Sequence, residues 1–400
     1  MSSIRMFHCR FSCRTAIRPW WPAALLGLLG LLAGGLPLAQ AGTVEPIRIG
    51  SVLTLSGPGA ALGEPELKTL QLYVERLNAA GGLLGRPLRL IHVDDGGELA
   101  KVDPAFRRLL DAERVDVLIG GTTSSASLAA LPLVERAEVP FLSLAGSVLI
   151  VEPAKKWVFK TAHTDRMACD KVFADLRARG LTRVALLSEA SGYGRSGRFQ
   201  CLARAAASGV QVVLDDSHDP KEADFSAPLA RIGASDAQAL LVLGVGASSA
   251  RITRAVHAAG LKLALYHTHS IGSKAFIEAA GDAAEGVRFP AAALIIAAQL
   301  PEADPQKRVA LEYTQAYTAA YGGSVSTFGG HAYDALMQWA EAVRRAGSVE
   351  PDAVRRALEA THGYVGTGGI VHYAPTDHLG LDATAFRMIE IRNGDWRLID

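Results

Sequence analysis

Residues 115–143 read VDVLIGGTTSSASLAALPLVERAEVPFLS, and this stretch indicates the fold. The short apolar runs at 115–119 and 139–144 predict two buried strands, and the apolar spacing of 125–136 predicts a helix between them. Two buried strands joined through one helix are typical of a parallel pair, because antiparallel neighbours need only a short turn. The stretch therefore predicts an α/β fold.

The same alternation extends in both directions along the chain. Before this stretch, strands are predicted at 47–53 and 88–93, and helices at 66–78 and 104–113. After residue 160 the alternation starts again, with strands at 183–187, 210–214, 239–243 and 263–266 and helices at 167–179, 197–207, 225–232 and 248–259. Helices at 307–321, 331–346 and 349–360 and strands at 385–392 and 396–399 follow. We expect two doubly wound parallel-sheet lobes with helices on both faces.

Two extended segments interrupt this order. Residues 157–161 and 286–293 each have the composition of a strand, and we interpret them as strands passing between the lobes. The expected organisation is a signal peptide at 1–41, a first lobe of 46–160 plus 290–373, and a second lobe of 161–289 plus 374–400.

The N-terminal 41 residues are typical of an export signal. Residues 1–18 contain four arginines and no acidic side chain, 20–38 is almost wholly apolar, and small residues precede Ala41. This pattern predicts a secretory signal peptide cleaved after Ala41, and a periplasmic location. An uncleaved membrane anchor is the alternative, but glycines and prolines interrupt the apolar run. Because no cysteine follows the small residues, a lipid anchor is disfavoured.

The composition of the mature chain excludes some partners. Removing residues 1–41 leaves 37 basic and 40 acidic side chains, a net charge of −3, so no basic surface for nucleic acid is indicated. We expect a monomer. Only Cys169 and Cys201 remain of the four cysteines. In an oxidising compartment they can form a disulfide, the alternative being two buried thiols on opposite faces of a sheet.

The segment SGYGRSG, residues 191–197, contains the pattern GxGxxG with Gly192, Gly194 and Gly197. A dinucleotide site is one interpretation, and an ordinary glycine-rich turn is another. Residues 188–191 separate the preceding strand from Gly192, and Tyr193 fills the gap where pyrophosphate would approach the backbone. An exported protein also meets little nicotinamide cofactor. We therefore interpret Tyr193 as part of a ligand-binding wall.

Motifs for catalysis and metal binding are weak. The sequence has no GxSxG, HExxH, CxxC or Walker loop. His267 and His269 would share one face of an extended strand, but two ligands without a third do not make a metal site. We predict neither an enzyme nor a cofactor, the alternative being a secreted enzyme with an unrecognised site.

An ordered set of segments resembles one family along nearly the whole mature chain. The segments are IRIGSVLTLSGPGAALGEPELKTL (47–70), NAAGGLLGRPLRLIHVDD (78–95), the stretch 115–143, SEASGYGRS (188–196) and GGHAYDALMQWAEAVRRAG (329–347). The chain resembles type I periplasmic substrate-binding proteins of the branched-chain amino-acid ABC transporter group. The resemblance implies a clamshell that binds a ligand by hinge closure and delivers it to a membrane permease. A sensor that signals to a membrane receptor is the alternative.

The predicted ligand contacts lie where strands of the two sheets end. Open α/β sheets bind ligands at the carboxyl ends of their strands, where helix N-termini present N–H groups. Ser124 and Ser125 follow one strand, and one of them can cap the helix while the other binds. Ala145 and Ser147 follow the next strand. The resemblance also implies contacts from four further residues: Tyr193, Gly246, His269 and Leu62.

Two positions depart from the amino-acid-binding pattern of the family. His269 stands where relatives usually place an acid that pairs with the ligand ammonium, and Leu62 stands where an aromatic residue often closes the site. We therefore expect a small carboxylate without an α-amino group, such as an aromatic or branched aliphatic acid. A standard amino acid remains the alternative, with Glu189 or Asp165 as the compensating acid. His269 could also be a solvent-facing loop residue.

Overall fold

The computed structural model describes Ser12 and residues 45–399, so the predicted signal peptide and its cleavage after Ala41 lie outside the part of the chain whose fold is described. Within residues 45–399, strands and helices alternate as the sequence predicts, and they form two parallel-sheet lobes. The helices of this part are too short or too polar to cross a bilayer.

The first lobe contains a five-stranded parallel sheet in the order β2-β1-β3-β4-β5. Its strands are β1 (Ile47–Leu53), β2 (Leu88–Asp94), β3 (Val117–Gly120), β4 (Phe141–Ser143) and β5 (Val158–Lys160). The connecting helices are α1 (Ala60–Ala79), α2 (Leu99–Arg107) and α3 (Ser124–Ala137). Helix α1 begins six residues before the predicted start. Gly63 and Pro65 favour a start after them, because both residues usually interrupt a helix, whereas here both lie in its first two turns.

The second lobe contains a seven-stranded sheet in the order β14-β13-β10-β9-β8-β6-β7. Its strands are β6 (Arg183–Glu189), β7 (Gln211–His218), β8 (Ala239–Leu243), β9 (Ala264–His267), β10 (Arg288–Ala292), β13 (Phe386–Arg392) and β14 (Asp395–Leu398). The helices that follow these strands or precede them are α4 (Asp165–Ala178), α5 (Gly192–Ala205), α6 (Ser226–Ala234), α7 (Ala247–Ala258) and α8 (Lys274–Ala280). Strand β13 runs antiparallel to both of its neighbours.

The chain crosses between the lobes after the two extended segments rather than along them. Strand β5 forms the edge of the first sheet, and β10 lies inside the second sheet between β9 and β13. Residues 293–300 pack partly on each lobe's core, which places the second crossing a few residues after the expected boundary at 290. The third crossing lies just before β13, so 374–382 packs with the first lobe.

Three helices and a hairpin complete the first lobe. The helices are α9 (Pro305–Tyr321), α10 (Thr327–Ala346) and α11 (Pro351–Glu359), and all three contribute to the core that contains β1. Strands β11 (His362–Val365) and β12 (Ile370–His372) form an antiparallel pair that the sequence reading missed. Their short lengths and their histidines and glycines give a weak strand pattern.

Cys169 and Cys201 form a disulfide in the structure. Cys169 lies on α4 and Cys201 on α5, and these two helices pack against each other on one face of the second sheet. The two sulfurs are therefore on the same side of β6, unlike the alternative of thiols on opposite faces. The bond ties the helix that begins beside the first crossing to the helix that carries Tyr193.

Candidate ligand-binding cleft

The carboxyl ends of β3 and β4 form one side of a cleft between the lobes. Helix α3 begins immediately after β3, and the side chain of Thr123 caps it by accepting a hydrogen bond from the Ala126 N–H at 3.1 Å. The sequence had suggested that Ser124 or Ser125 would cap this helix, but Thr123 does so, which leaves both serine hydroxyls for other contacts. We call residues 122–125 and 145–147 the carboxylate edge.

The carboxylate edge is internally hydrogen-bonded. The buried Ser124 hydroxyl accepts from the Ser147 N–H at 3.1 Å, and the Ala145 N–H donates to the Ser143 hydroxyl at 3.3 Å. Hydroxyls and main-chain donors thus converge from two adjacent strand ends, as expected for an open α/β sheet. The N–H groups of Ala145 and Ser147 are occupied in these bonds, whereas the Ser124 and Ser125 hydroxyls only accept and keep their O–H hydrogens to donate to a carboxylate.

Two direct hydrogen bonds join the carboxylate edge to α5 in the second lobe. The Gly192 N–H donates to the Ser125 hydroxyl at 2.9 Å, and the hydroxyls of Ser147 and Ser196 lie 2.8 Å apart. The backbone of Gly246 in the second lobe also lies close to Pro58 of the first lobe, because a Cβ at Gly246 would lie 2.6 Å from the Pro58 carbonyl oxygen. The two lobes are therefore in contact across the cleft.

Tyr193 and His269 form the second-lobe side opposite Gly146. Both side chains are buried, their rings meet edge to face with centroids 5.7 Å apart, and the Tyr193 hydroxyl lies 3.5 Å from His269 Nδ1. A Cβ built on Gly146 would lie 2.7 Å from Tyr193 Cε2 and 3.0 Å from His269 Nε2. A glycine is needed at 146 because the second lobe packs directly on its backbone.

The GxGxxG segment lies inside α5, which begins at Gly192, five residues earlier than the predicted helix. The Gly192 N–H is bonded to Ser125, and the Gly194 N–H donates to the capping Ser191 hydroxyl at 3.1 Å. A Cβ on Gly194 would lie 2.0 Å from the Glu189 carbonyl oxygen, so this glycine allows close packing of helix on strand. The segment serves lobe contact and packing, which disfavours the dinucleotide interpretation.

Leu62, the remaining expected contact, is buried near the start of α1. This helix follows β1 at the same edge of the first sheet as α3. The structure brings Ser124, Ser125, Ser147, Tyr193 and His269 together through direct contacts, with Ala145 on the same loop as Ser147.

Three buried histidines, His163, His269 and His331, stand close together behind the cleft, and we call them the histidine wall. The ring centroid of His163 lies 6.2 Å from that of His269 and 5.8 Å from that of His331. Phe386 stacks on His163 with centroids 4.1 Å apart. The sequence reading missed His163 and His331 because they come from a crossing segment and from α10, far from His269 in the chain.

The histidine wall is neutral near pH 7. Burial lowers the pKa of His163 to about 4 and holds the pKa values of His269 and His331 well below their usual range. Positive groups nearby, including Lys160, act in the same direction. The alternative that His269 is a solvent-facing loop residue is wrong, since only 5% of its surface is exposed.

Lys160 and Asp165 are two further buried ionisable residues near the wall. Lys160 Nζ donates to the carbonyl oxygens of Ala162 and His163, and burial lowers its pKa to about 7. Asp165 Oδ1 accepts from the N–H groups of Val148 and Arg166 at 3.0 and 2.9 Å. Burial raises the pKa of Asp165, while its Oδ2 has no hydrogen-bond partner.

The pair His267 and His269 does not share a face, contrary to the sequence interpretation. His267 Nε2 bonds the Thr253 hydroxyl at 2.9 Å, and its ring packs on Phe276, whereas His269 begins a 3₁₀ turn and faces Tyr193. Among residues 45–399, no group of three histidine, cysteine or acidic side chains is arranged to hold a metal ion.

The fold and cleft together define the class of type I periplasmic binding proteins. The structure matches an extracellular ligand-binding receptor from Rhodopseudomonas palustris with a TM-score of 0.83 and 26% identity, covering 89% of this chain and 100% of the other. It also matches the branched-chain amino acid transporter substrate binding protein LivJ from Streptococcus pneumoniae, in complex with isoleucine, with a TM-score of 0.78 and 22% identity over 89% of this chain and 99% of that one.

The sequence comparison gives the same class. Residues 46–395 match the profile of the family described as periplasmic binding protein, and the chain belongs to this family. A Leucine-, isoleucine-, valine-, threonine-, and alanine-binding protein from Pseudomonas aeruginosa is 23% identical over 345 residues, which cover 84% of this chain and 86% of the relative. The Leu/Ile/Val-binding protein homolog 3 of Brucella melitensis is 24% identical, covering 78% and 83%. The family consists of extracytoplasmic substrate-binding proteins.

Proposed function

We propose that the protein is the solute-binding component of an ABC importer and captures a small carboxylate-bearing ligand by hinge closure. The observation that carries the proposal is the meeting of the carboxylate edge with Tyr193 and His269 across the cleft. A ligand held by both sides would favour the closed arrangement, because it gains its full set of contacts only there.

We propose further that the ligand lacks an α-amino group. A buried ammonium needs an acid with a free oxygen beside it, since an unpaired buried charge costs several kcal/mol. The rings against His269 are those of Tyr193, His163 and Phe386, none of them acidic. Glu189 accepts a hydrogen bond from Ser248. Asp165 has one oxygen without a hydrogen-bond partner, but the charge of the nearby Lys160 already offsets that of Asp165, so we do not assign an ammonium to it.

Thermal-shift measurements on the mature protein test the choice of ligand. The panel contains leucine, isoleucine, valine and phenylalanine, and the matching acids 4-methylpentanoate, 3-methylpentanoate, 3-methylbutanoate and 3-phenylpropanoate. We expect stabilisation by at least one amine-free acid. Micromolar stabilisation by the amino acids with no response to their amine-free partners would overturn this choice and would favour Asp165 as the acid that binds the ammonium.

Small-angle scattering tests hinge closure independently of the ligand's name. The radius of gyration should fall when the best ligand of the panel, or the small molecule released from gently purified protein, is added to saturation. An unchanged radius with proven binding would contradict closure. Genes for a permease and an ATPase beside this one would support transport, and a neighbouring sensor kinase gene would support the sensor alternative.

A further inference from the structure

Two exposed histidines face each other on the hairpin of β11 and β12. His362 on β11 and His372 on β12 are register partners in this antiparallel pair. Their Nδ1 atoms lie 3.4 Å apart, and their ring centroids lie 5.6 Å apart. Because both residues are exposed, a dissolved ion can reach them. The hairpin therefore presents two imidazole nitrogens side by side to solvent.

The hairpin also fixes the direction of the two side chains. Tyr373, the residue after His372, is buried and packs edge to face on Phe159 of the core, with ring centroids 5.3 Å apart. Successive residues of a strand point to opposite faces, so His372 is directed outward. On the other strand the register shifts directly after His362, at Gly363 with φ +69°. A bulge of this kind re-aims the neighbouring side chain.

The spacing of the two nitrogens matches that of two ligands on one metal ion. A tetrahedral ion that binds imidazole nitrogens at about 2.0–2.1 Å holds them about 3.3–3.4 Å apart. Imidazole suits zinc, copper and nickel ions, whereas magnesium and calcium prefer oxygen ligands. Two histidines do not enclose a structural metal, but an exposed ion can complete its coordination with water.

The two nitrogens already make weak hydrogen bonds, which a metal would replace. The Gly363 N–H donates to His372 Nδ1 at 3.3 Å, and His362 Nδ1 lies 3.4 Å from the same atom. His372 thus accepts at Nδ1 and has a lone pair there, so only His362 must move its hydrogen to Nε2 for both nitrogens to bind one ion. These contacts are long and lie at the surface, where water can satisfy the Gly363 N–H instead.

Acidic side chains on both sides of the pair favour a cation. His362 lines an open cavity of about 410 Å³ with Glu341 and Arg345, which are 3.6 Å apart and offset each other's charge. On the other side, hydrogen bonds from a neighbouring threonine and, to a smaller extent, the nearby His372 lower the pKa of Asp382. The cavity has room for water ligands, and the Asp382 carboxylate adds negative charge close to the ion.

We propose that His362 and His372 chelate a divalent transition metal such as Zn²⁺ or Cu²⁺, with water completing the coordination. The two histidines lie at the open end of the hairpin. Its turn, residues 366–368, instead contacts Asp334 and His163 of the histidine wall. Metal binding therefore requires neither the cleft ligand nor lobe closure, and the proposal is independent of the proposed function.

Isothermal titration of the tag-free mature protein with ZnCl₂ and CuCl₂ tests the proposal, with MgCl₂ as the control ion. We expect one equivalent of Zn²⁺ or Cu²⁺ to bind at micromolar concentration, Cu²⁺ more tightly, and Mg²⁺ not to bind. Electron paramagnetic resonance of the Cu²⁺ complex should show two coordinated nitrogens.

Glutamine variants assign the binding to the pair. His362→Gln and His372→Gln should each weaken metal binding about 100-fold, because the second bond of a chelate forms within a complex that the first bond has already made. His92 on β2 and His257 on α7 are exposed histidines on separate elements. The double variant with His92→Gln and His257→Gln is the matched control and should change the affinity less than about twofold.

Three results would overturn the proposal. The first is no binding of Zn²⁺ or Cu²⁺ at millimolar concentration. The second is a loss of affinity in the control variant equal to that in His362→Gln or His372→Gln, since isolated surface histidines would then account for the binding. The third is a single coordinated nitrogen in the Cu²⁺ spectrum. Failure of the thermal-shift panel would overturn only the proposed function, because the two variants should bind the cleft ligand as the wild type does.

Discussion

The carboxylate edge and the histidine wall meet at His269, yet they are built in different ways. The edge comes from two loops that follow adjacent strands, and its donors are main-chain N–H groups and serine hydroxyls. The wall is made of side chains from a crossing segment, a turn after β9 in the second lobe and helix α10 of the first lobe. An edge of this kind depends on the fold, whereas the wall depends on which side chains meet.

This difference explains how a common fold can accept different ligands. Many sequences can supply N–H groups at a strand end, because the backbone provides them regardless of side chain. The charge and hydrogen-bonding character of the wall changes with each residue. We therefore expect the edge to hold the feature that ligands share, and the wall to distinguish one ligand from another.

The largest expected effect concerns the disulfide, which joins two helices of the second lobe and stabilises that lobe only. Replacing both cysteines, Cys169→Ala with Cys201→Ala, should lower the free energy of unfolding by about 3–4 kcal/mol, because the bond closes a loop of about 30 residues. Urea unfolding measures the loss. Ligand affinity should change less than about twofold, since neither sulfur lies in the cleft.

Thiol titration of the denatured, unreduced mature protein is the control for this prediction. It should find no free thiol in the wild type. Two titratable thiols would show that the bond does not form and that both sides of the cleft rely on non-covalent packing alone.

A smaller effect is expected from filling the space between edge and wall. Gly146→Val places a side chain where Tyr193 and His269 already pack, so closure should cost about 1–3 kcal/mol and affinity should fall about 10- to 100-fold. Titration of the best ligand measures this. Gly323→Val is the matched control, because nothing lies within 4 Å of a Cβ at that exposed position. Unchanged affinity in Gly146→Val would mean that the two sides do not need to meet.

Buried neutral histidines should make the second lobe sensitive to acid. Burial lowers the pKa of His267 to about 3, below its ordinary value of 6.5. As the pH falls from 6.5 towards 3, the unfolded chain binds a proton that the folded protein does not, so stability is lost across this window. The slope from one such histidine is about 1.4 kcal/mol per pH unit.

His267→Gln should remove this contribution and flatten the dependence of unfolding free energy on pH between 6.5 and 4.5. The double cysteine variant is the control, because it should be less stable at every pH with an unchanged slope. A slope in His267→Gln equal to that of the wild type would show that His267 does not remain neutral in the folded state.

The smallest effect is expected from the hydrogen bond between Ser147 and Ser196. A double-mutant cycle with both serines changed to alanine should give a coupling of about 0.5–1.5 kcal/mol in ligand binding. Thr69 and Tyr313 are a buried pair of hydroxyls 2.7 Å apart, and both belong to the first lobe outside the carboxylate edge. Their coupling should be seen in unfolding and not in binding. If Ser147 and Ser196 were coupled in unfolding but not in ligand binding, their hydrogen bond would not be part of lobe closure.

The sequence predicted the alternation of strands and helices because each buried strand is a continuous apolar run, as in β8 and β9. The prediction was less accurate where the local residue types are not typical of the element that forms. Gly192 and Gly194 suggested a loop, yet they lie in the first turn of α5 because close contact with Ser125 and Glu189 requires glycine. The hairpin β11–β12 escaped notice because its pattern is short and polar.

Only the carboxylate edge of the candidate site could be predicted from the sequence, because it follows from the positions of the strand ends. Ser124 and Ser147 follow from strand ends, and their contact is present in the structure. His269 was found through the resemblance, but its neutrality depends on burial by His163 and Phe386, which no local pattern reveals. Lys160 and His331 could not be associated with His269 from the sequence, since they lie 109 and 62 positions away from it in the chain.

The hydrogen bonds from Gly192 to Ser125 and from Ser147 to Ser196 affect how empty and loaded molecules compete for a permease. Each is worth about 1 kcal/mol, so together they raise the ratio of shut to open empty molecules about 30-fold over a protein without them. In the proposed importer, empty closed molecules would compete with ligand-bound molecules for the same binding site on the permease. Uptake would then follow the ratio of loaded to empty protein, and making more of the binding protein at low ligand concentration would slow transport.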